Sequence, residues 1–295
     1  MCGIVGIYLK SKKFENSLGG MLSDMLINMG SRGPDSAGFA VYKEDEDENF
    51  KYSLCLNGTD YEKFKKEITN KISISNIEKN SDHVIMKSKD QPSDVIKMLN
   101  KNFNEISIVG YGKSIEIFKQ VGEPKDVVKK FNLKSFSGTH GIGHTRMATE
   151  SDVDIRSAHP YWAFPYNDVS VVHNGQITNY WIMRRQMEKK GHRFTSNCDS
   201  ELLAVYTAHN LSLGTSLENS LKQSIEEIDG VFTYLVATKD QLGMAKDTMA
   251  AKPLVLYESD DLIAMASEEV AIRAILPQEI DTSDPYDEEV RVWQA

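Results

Sequence analysis

The sequence predicts an α+β fold, and the two ends of the chain indicate it most clearly. Near the start, the apolar run 4–8 is typical of a buried strand, and apolar side chains then recur at helical spacing over 14–29. A helix soon after the first strand and a strand-rich tail together favour the α+β class. The strands of the tail are predicted at 231–237, 243–246, 254–257 and 262–266.

The middle of the chain contains a segment of different composition. After the first helix, a turn-rich loop at 31–38 leads into a strand at 39–42, and an acidic run occupies 44–48. We expect a small inserted α/β subdomain at about 44–135, serving as decoration or as a docking surface. Its helices are predicted near 61–68, 95–99 and 127–131, and its strands at 106–109 and 115–118.

The second half resumes with glycine-rich and polar signals. A strand should end at Arg146, and a loop should run from there to about residue 160. We see no internal repeat and no interdomain linker, so the sequence predicts one domain over 1–295. The further elements predicted here are a strand at 169–172 and helices at 179–190, from about 199 through 206, and at 217–228.

Composition excludes several classes of protein. The formal net charge of −9 argues against a nucleic-acid partner held by broad electrostatic attraction. Three scattered cysteines suit neither a disulfide framework nor a zinc ribbon, which favours a reducing, cytoplasmic compartment. Because no apolar run approaches the length of a membrane span, we expect no membrane association.

The first candidate for chemistry is Cys2, directly after the initiator methionine. Removal of Met1 leaves this residue with both a thiol and a free α-amine. An α-amine has a pKa of about 8, so it can act as a base near neutral pH. One residue would then supply nucleophile and proton acceptor together. The alternative is a chance cysteine in front of a strand, and these residues alone leave both open.

The other candidates have ordinary structural explanations when each is taken singly. Asn174 and Gly175 form the commonest hairpin-turn dipeptide, and Asp199 is a possible helix cap. Arg32 could tie down its own loop, and Arg146 could pair with any of several acids. The histidines at 140 and 144 have a metal-like spacing, but no third ligand is marked nearby, so we predict no metal site.

Five motifs nevertheless occur in a meaningful order: MCGIVGIY, RGPDSAG, GHTRMATES, VVHNGQITNY and SNCDSELLA. Together they resemble the class II glutamine amidotransferases, which are N-terminal-nucleophile hydrolases that take ammonia from glutamine. The later segments DGVFTYLVAT, KPLVLY and LIAMASEEVAI are also similar to that family. The resemblance covers nearly the whole chain outside the insert and implies a four-layer αββα sandwich, with two antiparallel sheets face to face and helices outside.

The resemblance implies a catalytic role for three residues and a supporting role for a fourth. Cys2 would be the nucleophile, with its own α-amine as the base. The side chain of Asn174 and the backbone N–H of Gly175 would form the oxyanion hole. Arg32 matches a family position close to the nucleophile and would support the site.

It also implies how L-glutamine is held. Arg146 would bind the α-carboxylate, because a guanidinium offers a two-pronged match to it. Asp199 would receive the α-ammonium, and Thr149 would lie in the same pocket. One departure is Met147, where amino-sugar synthases of the family have a tryptophan that gates the ammonia path. The gating, rather than the glutaminase chemistry, is therefore in question.

The segments HTRMATES, AHPY and EVRVW are most similar to the free-standing glutaminase subunit of archaeal-type glutamate synthases and to its relative in N-methylglutamate synthase. No acceptor domain is recognised in the chain, so we expect ammonia to pass to a separate synthase subunit that combines it with 2-oxoglutarate. FMN and iron–sulfur centres are expected on that partner and no cofactor on this chain. The alternatives are an amidase for bulkier amides and a non-catalytic regulatory subunit.

Overall fold

The structure, a computed structural model, describes residues 2–43, 49–148, 152–163 and 166–294. Its strands are β1 (Gly3–Leu9), β2 (Ser36–Tyr42), β3 (Phe50–Cys55), β4 (Ile74–Asn80), β5 (His83–Ser88), β6 (Ser107–Gly112), β7 (Ile115–Val121), β8 (His140–Arg146), β9 (Ser170–Ile177), β10 (Gly230–Ala237), β11 (Gln241–Lys246), β12 (Val255–Glu258), β13 (Leu262–Ala266) and β14 (Val290–Gln294). Its helices are α1 (Leu18–Asn28), α2 (Tyr61–Thr69), α3 (Pro92–Asn102), α4 (Pro124–Lys130), α5 (Tyr180–Lys189), α6 (Asp199–Ser212), α7 (Leu217–Glu227) and α8 (Glu269–Arg273).

Two antiparallel sheets form the centre of the molecule. The first has the strand order β12-β13-β1-β8-β2-β7, and the second has the order β14-β11-β10-β9. Their facing side chains make one core, in which Ile4 and Ile142 of the first sheet pack with Val172 and Leu235 of the second. Alternate residues of the same strands, such as Val5, point to the opposite face.

Helices cover both outer faces. The predicted apolar stripe of α1 is buried against the first sheet, together with α4 and α8. Helices α5, α6 and α7 pack on the outer face of the second sheet, where α6 is buried on nearly all sides. The predicted four-layer αββα sandwich is therefore confirmed.

A third sheet, of order β4-β5-β3-β6, forms the insert with α2 and α3. The insert ends earlier than the predicted boundary at about 135. Strand β7 pairs with β2 in the first sheet, with Phe39 opposite Phe118, and α4 packs on that sheet through Val127 and Val128. The third sheet and its two helices thus occupy residues 50–112, and the acidic run 44–48 lies outside the described residues.

Strand register gathers several chain segments at one end of the first sheet. Gly3 lies opposite Thr145, and Ser36 lies opposite Arg146. The start of β1, the end of β8 and the start of β2 therefore share one rim, directly beside Cys2. Among the described residues, no helix has both the length and the apolar character needed to cross a membrane.

Candidate active site

Cys2 is half-buried at this rim and is contacted from three directions. The Met147 N–H donates to its Sγ at 3.4 Å. Its carbonyl oxygen accepts hydrogen bonds from Arg32 Nε at 2.9 Å and from Asn174 Nδ2 at 3.1 Å. The backbone of Cys2 is thus held by two of the predicted site residues, while the thiol lies beside the residue that follows Arg146.

Arg32 is only 8% exposed, and two nitrogens of its guanidinium, Nε and Nη1, donate hydrogen bonds. Besides the Cys2 carbonyl, it binds the carboxylate of Glu268 through Nη1. Glu268 immediately follows Ser267, whose hydroxyl accepts from the backbone N–H of Ile4 at 2.9 Å and from Asn174 Nδ2 at 3.0 Å. The loop after β13 therefore braces the nucleophile and the adjacent asparagine together.

Asn174 and Gly175 lie within β9 and pair with Thr233 and Phe232 of β10, so their interpretation as a hairpin turn is wrong. The sheet requires glycine at 175 for a steric reason. A Cβ there would lie 2.2 Å from the carbonyl oxygen of Val231, and φ is +151°. The pair consequently places an amide side chain and an exposed, side-chain-free backbone next to each other at the edge of the second sheet.

A cavity of about 860 Å³ lies beside this edge. Gly175, Asp199 and Asp152 line it, and Arg146 Nη1 donates to the carbonyl oxygen of Asp152 at 2.9 Å. Asp199, at the first turn of α6, accepts the Ile177 N–H at 2.9 Å through Oδ2. The structure thus brings Gly175 and Asp199 to one cavity, with Arg146 at its border.

Thr149 falls outside the described residues, so its place relative to the cavity stays a prediction.

Three buried histidines stand behind the site. The rings of His144 and His159 stack with centroids 3.8 Å apart, and His173 Nδ1 shares a 2.7 Å hydrogen bond with Ser200 Oγ. Burial lowers the pKa of His144 to about 3 and holds that of His159 well below its usual value. Burial also lowers the pKa of His173, although the carboxylate of Asp199 opposes the shift. Imidazoles with such low pKa values are weak proton acceptors at neutral pH.

Two groups of side chains in the structure include residue types that bind metals. His140 and His144 each direct a ring nitrogen to a backbone carbonyl, of Thr238 and His173 respectively. A different group, Cys55, Asp82 and His83, has ligand atoms within 4.8 Å of one another.

At that second group, the ammonium of Lys130 already binds Asp82 Oδ2 at 2.8 Å. Burial by itself raises the pKa of Asp82, but hydrogen bonds from His83 and Lys130 bring it down to about 2. A resident cation beside the carboxylate disfavours a second one, so this group is better explained as a half-buried ion-pair network joining the insert to α4.

Sequence reasoning missed three residues that organise the site: Ser267, Glu268 and Glu201. Each lies within or beside a segment that resembles the family, but none carries a recognisable chemical signature. Glu201 is a case in point, because a glutamate two residues into a helix is an ordinary first-turn residue. Only the three-dimensional contacts distinguish these side chains from ordinary polar ones.

Comparisons with known proteins agree on one relationship. The sequence profile of the glutamine amidotransferase domain matches residues 144–274. The glutamine amidotransferase-like protein GlxB of Rhizobium meliloti is 36% identical over 297 residues, which are 100% of this chain and 95% of that protein. A putative glutamine amidotransferase of Methanothermobacter thermautotrophicus is 36% identical over 308 residues, covering 100% of both chains.

Among solved structures, the glutamine phosphoribosylpyrophosphate amidotransferase from B. subtilis, complexed with ADP and GMP, superimposes with a TM-score of 0.66 at 17% identity. The match covers 99% of this chain and 47% of that one. At this identity the likeness concerns the fold alone.

Proposed function

We propose, because this chain belongs to the class II glutamine amidotransferase family, that it hydrolyses L-glutamine to glutamate and ammonia through a γ-glutamyl thioester on Cys2. The observation that carries the proposal is the convergence on Cys2. Its carbonyl is held by Arg32 and Asn174, and its thiol lies beside Met147, next to Arg146. Four of the predicted site residues are thus connected by direct contacts or by chain adjacency.

The chemistry begins with the α-amine that removal of Met1 exposes. With a pKa of about 8, this amine accepts the thiol proton as sulfur attacks the side-chain amide carbon of glutamine. The oxyanion that forms would be stabilised by the Gly175 N–H and by the Asn174 amide, which exchanges its hydrogen bond to the Cys2 carbonyl for one to the substrate and keeps the one to Ser267. The C–N bond of the amide then breaks, and the α-ammonium of Cys2 gives its proton to the leaving nitrogen, which departs as ammonia. Water next attacks the thioester, which releases glutamate and restores the Cys2 thiol.

The surrounding histidines support this assignment of the base. Because burial lowers the pKa of His144 to about 3, its imidazole competes poorly for the thiol proton. His159 and His173 have lowered pKa values for the same reason. The terminal amine is therefore the better base at neutral pH.

Recognition of a free amino acid needs opposite charges at the two ends of the substrate. We assign the α-carboxylate to Arg146 and the α-ammonium to Asp199, with Thr149 completing the pocket. Asp199 Oδ2 is used by the Ile177 N–H, and among the described residues Oδ1 has long contacts to Ser200 Oγ at 3.4 Å, Cys198 Sγ at 3.8 Å and His173 Nδ1 at 4.0 Å. This leaves Oδ1 as the oxygen for a substrate cation, which favours a free amino acid over a bulkier amide.

We further propose that ammonia passes to a separate synthase subunit for glutamate synthesis from 2-oxoglutarate, with FMN and iron–sulfur centres on that partner. The separation of the two activities is supported by two relatives, which match along 95% and 100% of their own lengths. Those proteins are therefore also about the size of this chain. A second domain fused to either relative would have lowered that coverage.

The test is ammonia release from L-glutamine by protein whose N-terminus has been determined by mass spectrometry. Cys2→Ala, or an extra residue retained before Cys2, should abolish release. Cys55→Ala is the matched control, because the Cys55 thiol is buried in the insert, where burial raises its pKa to about 11. Full activity in protein that retains Met1 would overturn the mechanism.

A further inference from the structure

Glu201 has an unusual set of contacts for a residue outside the proposed chemistry. It lies in the first turn of α6 and is 3% exposed. Oε1 accepts from the backbone N–H of Thr195 at 2.7 Å and from its hydroxyl at 2.8 Å. Oε2 accepts from the N–H and hydroxyl of Ser196 at 2.7 and 2.6 Å. One carboxylate thus binds four donors on two consecutive residues, and hydrogen bonds to a charged acceptor are the stronger kind.

The segment that Glu201 holds is a wall of the cavity. Residues 195–199 all line it, whereas Glu201 does not. Ser196 Oγ also accepts from the backbone N–H of Cys198 at 3.2 Å, which links the clamped residues to the turn just before Asp199. From the other side, Arg184 Nη1 donates to the carbonyl oxygen of Ser196 at 2.8 Å. The wall is therefore fixed from within by Glu201 and from outside by Arg184.

Asp199 depends on this wall for its position. Its backbone begins α6, and one oxygen is tied to β9 through the Ile177 N–H. Residues 196–198 lead directly into α6, and the remaining oxygen, Oδ1, contacts Cys198 Sγ at 3.8 Å, so a shift of this wall would move Oδ1 with it. Glu201 itself cannot attract a substrate ammonium, because its lone pairs are occupied and its side chain is buried.

We propose, on the basis of the function proposed above, that Glu201 is the positioning residue that shapes the α-ammonium subsite at Asp199. It thereby sets the preference for free α-amino amides over amides that lack the amino group. Glu201 acts through the wall at 195–198 and does not touch the substrate. The contact between Asp199 and the substrate α-ammonium depends on direction and distance, so it is weakened when the wall moves. The reacting centre at Cys2 stays in place.

The experiment compares L-glutamine with glutaramate, the same molecule without its α-amino group, in wild-type protein and in Glu201→Gln. The variant is isosteric, but its amide N–H₂ faces N–H and O–H donors. The KM for L-glutamine should rise about tenfold, which corresponds to about 1.4 kcal/mol. The kcat for L-glutamine and the KM for glutaramate should change less than threefold. Asp199→Asn should lose the same discrimination, and the double variant should lose little more.

Asp168 provides the matched control. It is also a buried carboxylate with four donors, the N–H groups of Lys113, Ser114 and Ile115 and the side-chain amide of Asn167, but it does not line the cavity. Asp168→Asn should lower the melting temperature as Glu201→Gln does. It should leave unchanged the substrate ratio, which is kcat/KM for L-glutamine divided by kcat/KM for glutaramate. If Glu201→Gln does not fold, Ser196→Ala removes one of the four donors and should shift the ratio in the same direction, by less.

The outcomes separate the two proposals. An active wild-type chain whose Glu201→Gln variant keeps the same substrate ratio overturns the role of Glu201 alone. Equal losses for both amides would also overturn it, because a purely structural clamp has that effect. A wild-type chain with verified Met1 removal that hydrolyses neither amide overturns the proposed function together with this inference.

Discussion

Acidification should destabilise this protein well before its carboxylates protonate. Burial lowers the pKa of His140 to about 4 and of His144 to about 3, and it holds that of His159 well below its usual value. In the unfolded chain each imidazole titrates near about 6.5. Between these values the unfolded state binds more protons than the folded state, so stability falls as the pH falls.

The size of the effect follows from how far the pH lies below the pKa of the imidazoles in the unfolded chain. At pH 5 the pH lies about 1.5 units below the pKa of an imidazole in the unfolded chain, and each unit corresponds to about 1.36 kcal/mol. His140 and His144 then each remove about 2 kcal/mol of stability, together about 4 kcal/mol, most of it between pH 6 and 5, and His159 adds to the loss in the same direction. A typical domain has a free energy of unfolding of about 5–15 kcal/mol, so this loss is a large share of the total.

Urea unfolding followed by circular dichroism at pH 7.5, 6.0 and 5.0 measures this directly. His159→Phe is the informative variant, because neither of its ring nitrogens has a hydrogen-bond partner among the described residues and the ring stacks on His144. The variant should lose less stability than the wild-type chain between pH 7.5 and 5.0, because it removes one group whose protonation favours the unfolded state. Equal stability of the wild-type chain at pH 7.5 and 5.0 would refute the reasoning.

Three substitutions separate binding from chemistry. Asn174→Ala should lower kcat by about 100-fold to 1,000-fold with little change in the KM for L-glutamine, since it removes an oxyanion donor. Arg146→Lys should raise that KM by roughly tenfold to a hundredfold, because a point ammonium loses the paired contacts of the guanidinium; an unchanged KM would remove its assignment as carboxylate ligand. Gly175→Ala should lower kcat at least as far as Asn174→Ala, because the added Cβ would lie 2.2 Å from the Val231 carbonyl oxygen and displace β9; wild-type kcat there would contradict the placement of the oxyanion hole.

Much of the fold was predictable because local periodicity reports which side of an element is buried. The stripe of α1 and the strand at 4–8 behave as expected. The end of the insert was not predictable, since β7 has the same apolar alternation whether it pairs within the insert or with β2. Pairing partners depend on contacts far apart in the chain, and the pattern of a single strand does not contain them.

The same difference between local patterns and long-range contacts applies to the candidate site. The residues of the resemblance were identifiable because their order along the chain is preserved, whereas their separate local signals favoured turns and caps. Asn174 and Gly175 indicate a hairpin in isolation, yet the requirement for glycine comes from Val231 on the neighbouring strand. Ser267 and Glu201 were missed because their importance lies entirely in what they contact, across the sheets for Ser267 and behind the cavity wall for Glu201.

The proposed active site depends on the relative position of the two sheets. Cys2 and Arg146 are attached to the first sheet, while Asn174 and Gly175 belong to the second. Their alignment is fixed locally by Ser267, which bonds both Ile4 and Asn174, and globally by the apolar core between the sheets. A misplacement of about 1 Å can lower a rate about 100-fold. The packing between the sheets therefore sets the distance from the nucleophile to the oxyanion donors, and large-to-small changes in that core should lower kcat as well as stability.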